Sequence, residues 1–85
     1  MLELTLHTDP AHGWVEVPLE LIINLGLSAK ISSYSYRKGF NAYLEEDCDA
    51  GLLIKALKDA GKKIEVVEYH TNRNSKIRSY SHFVA

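Results

Sequence analysis

Residues 43–61 read YLEEDCDAGLLIKALKDAG, and this stretch decides the fold because the hydrophobic period changes near its start. Just before the change, Phe40, Ala42 and Leu44 alternate with more polar residues, which is the period of a half-buried strand. After the change, apolar residues recur every three or four positions, which is the period of the inner face of a helix. The sequence therefore predicts a strand that leads directly into an amphipathic helix. The inner-face residues of that helix are Leu53, Ala56, Leu57 and Ala60.

The acids and the last glycine of this stretch predict where the helix begins and ends. Asp47 or Asp49 is expected to accept hydrogen bonds from the free N–H groups of the first turn, and the other acids of residues 45–49 favour the positive end of the helix dipole. Gly61 is expected to take the left-handed conformation that ends a helix. These acids would also suit a metal or catalytic cluster, but capping and the dipole account for all of them. Neighbouring carboxylates should raise the pKa of the Cys48 thiol and keep it protonated.

Length and composition limit the class of protein. The 85 residues are expected to form one domain, residues 1–85, with one modest core. The single cysteine excludes an internal disulfide, which fits a reducing cytoplasm. We see no secretory leader and no apolar run of about 18 residues, so a cytoplasmic protein with no membrane partner is expected. Ten basic against eleven acidic residues give a net charge of −1, so composition does not indicate a polyanionic partner.

The remaining sequence predicts further strands and a second, shorter helix. Leucines alternate with polar residues near the N-terminus, and Pro18 suits the first position of a helix. The predicted elements are a strand over residues 2–7, an extended piece over 14–17, a helix over 18–26, strands over 31–37 and 64–70, and an extended segment over 77–83.

The order strand, helix, two-strand hairpin, helix, strand is that of the split βαβ, ferredoxin-like plan. We therefore predict an α+β domain with a mainly antiparallel sheet of four to five strands, with both helices on one face. The C-terminal extended segment is added to this plan. The extended piece at residues 14–17 and the C-terminal segment are also compatible with a different mixed sheet.

A two-residue turn at Lys38-Gly39 is predicted to join the two strands of the hairpin. In that register Arg37 faces Phe40, and Tyr34 faces Tyr43. The tyrosines of the hairpin then share the sheet face opposite the helices. A slip of one residue would exchange the two faces, so the register is a testable prediction.

This tyrosine-rich face is the candidate functional surface. Sheets of this plan can stack single-stranded bases on exposed aromatic rings, with basic side chains on the phosphates. The net charge and the absence of an aromatic RNA-binding motif count against that function. Tyrosine and arginine are also enriched in protein interfaces, and the competing interpretation is that the face is closed by another protein, a second copy or the chain's own tail. We therefore favour a protein-interaction or self-associating module, with a homodimer as one form, over nucleic-acid binding. The predicted contact residues are Tyr34, Tyr36, Tyr43, Arg37, Lys38, Arg73, Lys76 and Arg78.

No catalytic residue, metal site or cofactor is predicted, so we expect no enzyme activity. No two histidines have the sequence spacing of metal ligands. If the first and last strands are antiparallel neighbours, His7 and His70 lie about 17 Å apart. Ser32, Ser33 and Ser35 fall in a predicted strand rather than at a nucleophile elbow. A small enzyme or metal-binding protein remains the alternative, and a histidine or Cys48 in a pocket beside a second titratable group would favour it.

Several short strings resemble an uncharacterised family of small proteins of bacteria, phages and mobile elements. The strings are His12-Gly13-Trp14, Val17-Pro18, residues 30–36, the YLEEDCDA of residues 43–50, and residues 75–78, so the resemblance spans nearly the whole chain. The resemblance implies a small cytoplasmic accessory protein and no particular mechanism.

Overall fold

The computed structural model describes residues 2–84, in which six strands form one mixed sheet and two α-helices cover one face of it. The sheet order is β5-β1-β2-β4-β3-β6, with β1 and β5 parallel and all other neighbours antiparallel. The predicted α+β class is therefore confirmed. The strands are β1 (Leu2–Thr8), β2 (Gly13–Pro18), β3 (Tyr36–Lys38), β4 (Asn41–Glu45), β5 (Ile64–His70) and β6 (Ser81–His82), the α-helices are α1 (Leu19–Asn24) and α2 (Asp49–Asp59), and single 3₁₀ turns lie at Ser28–Lys30 and Lys76–Ser79.

The sheet departs from the predicted ferredoxin-like order because of β2. The sequence predicted only a short extra piece there, whereas β2 is a full strand inserted between β1 and β4. A short turn makes this local hairpin possible, since the Asp9 N–H donates to the His12 carbonyl. With β2 and β6 included, the described sheet has six strands rather than four or five, and β5 runs parallel to β1 rather than antiparallel.

The main core lies between the helices and one face of the sheet. Ile22 of α1 and Leu53 of α2 are fully buried in the same apolar cluster, so the prediction that both helices cover one face is confirmed. Alternate residues of β1, β2 and β4 supply the sheet side of this core, as the period-two pattern requires. The sheet residues of the cluster are Leu4, Val15, Val17, Ala42 and Leu44.

The predicted end of α2 is confirmed, but its predicted cap is wrong. Gly61 has a φ of +76°, and its N–H donates to the Lys58 carbonyl, as in a glycine-terminated helix. At the other end, Cys48 occupies the capping position and its side chain makes no capping bond. Asp47 is exposed, and Asp49 is used elsewhere.

The buried carboxylate of Asp49 holds the loop before β3 instead of capping α2. It accepts hydrogen bonds from the Ser32 N–H at 3.0 Å, the Ser32 hydroxyl at 2.7 Å and the Ser35 hydroxyl at 2.5 Å. Asp49 is only 3% exposed, so its charge needs these donors. Held in this way, Ser32 forms a local turn, in which its hydroxyl accepts from the Tyr34 N–H at 3.2 Å and its carbonyl accepts from the Ser35 N–H at 3.3 Å, and such local bonds compete with a strand ladder. This explains why residues 31–35 are not a strand, contrary to the prediction, and why β3 has only three residues.

The hairpin of β3 and β4 is shifted by two residues from the predicted register. Tyr36 pairs with Tyr43 and Lys38 pairs with Asn41, so the predicted partners of Tyr34 and Arg37 are wrong. The turn residues are Gly39, with a φ of +60°, and Phe40, which is 91% exposed. Glycine at the first central position suits the type II′ turn. Because the shift is an even number, the predicted face of each strand residue is preserved.

Candidate functional site

The sheet face opposite the helices carries the aromatic residues, and we refer to it as the aromatic face. Tyr36 and Tyr43 lie on it as predicted, next to Trp14 of β2. Tyr34 lies in the loop before β3 and is 70% exposed. Arg37 pairs with Ala42, so strand alternation places it on the helix side of the sheet and away from the tyrosines.

The C-terminal segment, residues 75–83, covers the centre of the aromatic face. Ile77 is 2% exposed and packs with Trp14 and Tyr43 in a second apolar cluster. The Tyr80 ring lies 5.0 Å from the Tyr43 ring between centroids. Tyr43 is consequently only 9% exposed. Of the covers considered from the sequence, the chain's own tail is the one present.

The same segment also continues round the β3 edge of the sheet. His82 pairs with Tyr36 in the sheet ladder, and the two rings stack with centroids 4.9 Å apart. The Phe83 N–H then donates to the Ser35 carbonyl, and the Phe83 side chain is buried in the main core. The segment therefore packs on both faces of the sheet.

A buried ion pair anchors this segment to the turn between β1 and β2. The Asp9 carboxylate accepts from the Arg78 Nε at 2.7 Å and Nη2 at 3.0 Å, and from the Ser75 N–H at 3.0 Å. The Arg78 guanidinium holds the pKa of Asp9 well below its usual range. Arg78 also lies over the Trp14 ring, 5.3 Å from its centroid. Arg78, predicted to contact a partner, is thus engaged within the chain.

The other predicted basic residues do not form one patch. Lys38 lies over the Tyr80 ring, with its Nζ 4.7 Å from the centroid. Arg73 and Lys76 are exposed at the margin of a groove on the aromatic face, and neither forms an ion pair with any of residues 2–84. The structure therefore divides the predicted contact residues between a covered centre and separate exposed sites.

This groove, which we call the His7 groove, has a volume of about 410 Å³. Its floor contains a fixed pair of side chains, in which His7 Nε2 lies 2.7 Å from Glu16 Oε1. Glu16 Oε2 accepts from Asn41 Nδ2 at 2.9 Å, so both oxygens of the carboxylate are held. Burial, together with the negative charge of Glu16 and contact with Tyr80, raises the pKa of Tyr43. The groove is lined by His7, Thr8, Glu16, Tyr43, Tyr69, Thr71, Arg73, Asn74, Ser75, Lys76, Ile77 and Tyr80.

The His7–Glu16 pair was not anticipated from the sequence, because β2 was not recognised as a strand. Pairing residues 2–8 with 13–18 across the Asp9 turn would have brought the two side chains to one face. A carboxylate that fixes one ring nitrogen leaves the other, Nδ1, available for a ligand or a proton. A histidine in a groove beside a second titratable group is the arrangement that favours the alternative of a small enzyme or metal-binding protein. Among residues 2–84, no hydroxyl or thiol is hydrogen-bonded to His7, so this acid–base pair has no attached nucleophile.

The predicted separation of His7 and His70 is wrong, since β1 and β5 are parallel. His70 pairs with Thr8, and its Nδ1 lies 2.8 Å from the Thr8 hydroxyl. The two histidines therefore belong to the same end of the sheet, on opposite faces by strand alternation. Over residues 2–84, no three His, Cys, Asp or Glu side chains converge in a way that would hold a metal ion.

A second hollow of about 300 Å³ lies beside the exposed Tyr34 ring, with Cys48 among its lining residues. Although Cys48 is exposed, partial desolvation by its neighbours and then the Glu45 carboxylate raise the pKa of its thiol. This direction agrees with the prediction that neighbouring carboxylates raise the pKa of the Cys48 thiol and favour its protonated form.

A further exposed feature is β5, which forms an open edge of the sheet. Val66 is 46% exposed, Val67 is 43% exposed and Tyr69 is 66% exposed. The Leu2 N–H donates to the Lys63 carbonyl and the Thr71 N–H donates to the Thr8 carbonyl. In a parallel ladder, these two bonds mean that the backbone N–H and C=O groups of the odd-numbered residues of β5 point towards β1. The outward backbone groups of β5 therefore belong to Ile64, Val66, Glu68 and His70.

Within the described part of the chain, no helix has both the length and the apolar character needed to span a lipid bilayer. No protein-family model matches the chain, and no curated protein or solved structure matches it at a significant level.

Proposed function

We propose that this chain is a protein-interaction module that self-associates through β5, which pairs antiparallel with β5 of a second copy. The observation that carries the proposal is the open edge. Four of the seven residues of β5, namely Ile64, Val66, Glu68 and His70, direct their N–H and C=O groups outward, beside the exposed Val66 and Val67 side chains. Exposed apolar edge strands are templates for pairing with another chain, and natural proteins usually shield them with proline, bulges or very short strands.

The edge is a better contact surface than the tyrosines predicted from the sequence. Tyr43 lies under Tyr80, and Arg78 is committed to Asp9. Neither is free to contact a partner unless the C-terminal segment detaches. The same geometry weighs against single-strand binding across the centre of this face, because Tyr43 is covered and cannot stack on a base. A partner that adds to the sheet at β5 requires no rearrangement.

The sequence of β5 suits pairing with itself. In an antiparallel ladder, residues whose backbone groups face the other strand pair with each other. In β5 these are the even-numbered residues, so each even-numbered residue must pair with an even-numbered residue of the second copy. Pairing centred on Val66 places Ile64 opposite Glu68 and leaves Lys62 diagonal to Glu68, within reach of its carboxylate. A shift that centres the pair on Glu65 would set two carboxylates directly opposite each other, which is destabilising. Charge complementarity therefore favours a symmetric pair centred on Val66.

The resemblance to small bacterial, phage and mobile-element proteins is compatible with this role. A cytoplasmic accessory protein that acts as a dimer, or that offers the same edge to a host protein, would need only a stable sheet with one open side. Catalysis is not part of this proposal.

Replacing Val66 with proline is expected to abolish self-association and to leave the fold intact. Proline removes an outward N–H that the second copy would need, whereas the bonds from β5 to β1 come from odd-numbered residues. Sedimentation of the wild-type chain over a range of concentrations should show a monomer–dimer equilibrium that Val66→Pro lacks. Ile23→Lys is the control, since Ile23 is a 65% exposed apolar residue on α1, away from the edge. A wild-type chain that stays monomeric at all concentrations would refute the proposal.

A further inference from the structure

The His7 groove is the part of the aromatic face that the C-terminal segment leaves open. Ile77 and Tyr80 of that segment line it together with Tyr69 of β5. Its volume of about 410 Å³ falls within the roughly 300–1,000 Å³ of sites for small molecules. The groove therefore has the size for one small ligand.

The groove offers both an aromatic surface and positive charge. The Tyr69 ring is 66% exposed, and it meets the His7 ring edge to face with centroids 6.0 Å apart. Arg73 and Lys76 are exposed among the lining residues and make no ion pair with described residues. The guanidinium of Arg73 and the ammonium of Lys76 both line the groove, and such groups are the charge-assisted donors that phosphate oxygens accept. The aromatic ring supplies a surface on which a base can stack.

The floor adds hydrogen-bonding groups that are already fixed in position. Glu16 is held by His7 and by Asn41, so its carboxylate is an oriented acceptor for an amino or ring N–H group. Its negative charge disfavours a phosphate at the floor, and the cations of residues 73–76 favour one at the margin. A ligand with a planar, hydrogen-bonding ring at one end and an anion at the other fits this arrangement.

Because the groove combines an exposed ring, a fixed acceptor and two cations, we infer that it binds a nucleoside monophosphate. The base lies against Tyr69, and the phosphate lies at Arg73 and Lys76. The phosphate belongs either to a free nucleotide or to the 5′ end of a strand, because both present the same chemistry. This inference does not depend on pairing through β5. The Tyr69 side chain lies on the aromatic face, whereas the pairing uses the backbone N–H and C=O groups of the even-numbered residues of β5.

The test is a titration of the folded chain with each of the four common ribonucleoside monophosphates. Binding is measured by calorimetry and by changes in amide chemical shifts. Arg73→Ala should weaken binding at least about tenfold through the loss of charge-assisted bonds. Tyr69→Ala should weaken it at least about fivefold through the loss of stacking. Both residues are exposed, so neither change is expected to unfold the chain. Arg37→Ala and Tyr34→Ala are the matched controls, because each removes an exposed residue of the same type outside the groove.

Three results would overturn the inference: no binding at millimolar nucleotide, binding that the groove variants leave unchanged, or inorganic phosphate binding as tightly as the nucleotides. A 5′-phosphorylated oligonucleotide that binds more tightly than the free nucleotide, with the same loss in Arg73→Ala, would support the inference and identify a strand end as the source. Repeating the titration in Val66→Pro keeps the result independent of self-association.

Discussion

Replacing Asp9 with alanine is expected to lower the free energy of unfolding by about 3 kcal/mol. This is a large fraction of the total free energy of unfolding of a domain of this size. The substitution leaves the Arg78 guanidinium and the Ser75 N–H without their shared acceptor. It also removes the two bonds that Asp9 Oδ1 accepts from the N–H groups of Ala11 and His12, which close the turn before β2. The Arg78 side chain is 33% exposed, so water recovers part of the loss. Urea unfolding measures the change.

The Asp9 carboxylate also predicts a dependence of stability on pH. Its pKa is lowered in the folded chain, mainly by Arg78, so its ionised form is favoured by folding. This stabilisation is complete above the unfolded-state pKa of about 3.9 and is lost as the pH falls towards the folded-state pKa. Wild-type stability should therefore fall more steeply than that of Asp9→Asn below about pH 4. Above pH 5 the difference between the two proteins should stay constant.

A matched control compares the Asp9–Arg78 ion pair with an ordinary ion pair on the surface. Asp59 forms an exposed ion pair with Lys55 at 2.9 Å, one turn away on α2. Exposed pairs of this kind contribute little, so Asp59→Ala should change the free energy of unfolding by less than about 0.5 kcal/mol. Similar losses for Asp9→Ala and Asp59→Ala would show that the C-terminal segment is not anchored as described.

Asp49→Ala is expected to cost about 3 kcal/mol, whereas Asp47→Ala should cost less than about 0.5 kcal/mol. The Asp49 carboxylate is the shared acceptor for two serine hydroxyls and one N–H, and Ser35 is fully buried. Without the acceptor the Ser35 hydroxyl stays buried without its partner, and the partly buried N–H and hydroxyl of Ser32 lose theirs. The Ser35 hydroxyl also accepts from the Glu45 N–H, so the loss reaches β4. Thermal and urea unfolding of both variants provide the comparison.

This pair of substitutions also distinguishes the loop anchor from helix capping. A lost cap costs typically about 1 kcal/mol and would be expected at whichever aspartate caps α2. If Asp47→Ala proved as damaging as Asp49→Ala, or if both lost only about 1 kcal/mol, the loop anchor would be contradicted. Ser35→Ala serves as the reciprocal change, since its effect should overlap with that of Asp49→Ala rather than add to it.

Elements with a clear local period could be predicted from the sequence. The alternating leucines of β1, the apolar face of α2 and the full extent of β5 each follow from neighbouring residues. The sheet face predicted for Tyr36 and Tyr43 was also correct, because a register shift exchanges the faces only when it is an odd number of residues. Tyr34 lies in the loop before β3 instead. Local pattern was sufficient wherever the structure is held by local contacts.

The rest depends on contacts between residues far apart in sequence. Asp49 reaches back to Ser32 and Ser35, and this contact converts a predicted strand into a loop. Asp9 meets Arg78 across 69 positions and so places the C-terminal segment on the aromatic face. The parallel pairing of β1 and β5 is likewise invisible to periodicity. Tyr36 and Tyr43 were therefore predicted on the correct face and the chain's own tail was one of the covers considered, but the contacts that hold the tail there and the His7 groove could not be predicted.

The central claim is that the aromatic face is closed by the chain itself and that β5 is the contact edge. Amide hydrogen exchange at low and high protein concentration tests both parts in one measurement. Odd-numbered amides of β5, such as that of Val67, should be protected at both concentrations because they bond to β1. The outward amides of Val66 and Glu68 should exchange quickly in dilute protein and become protected as concentration rises. Protection that instead rises around Tyr34 and Tyr36, with Val66 and Glu68 unchanged, would contradict the account.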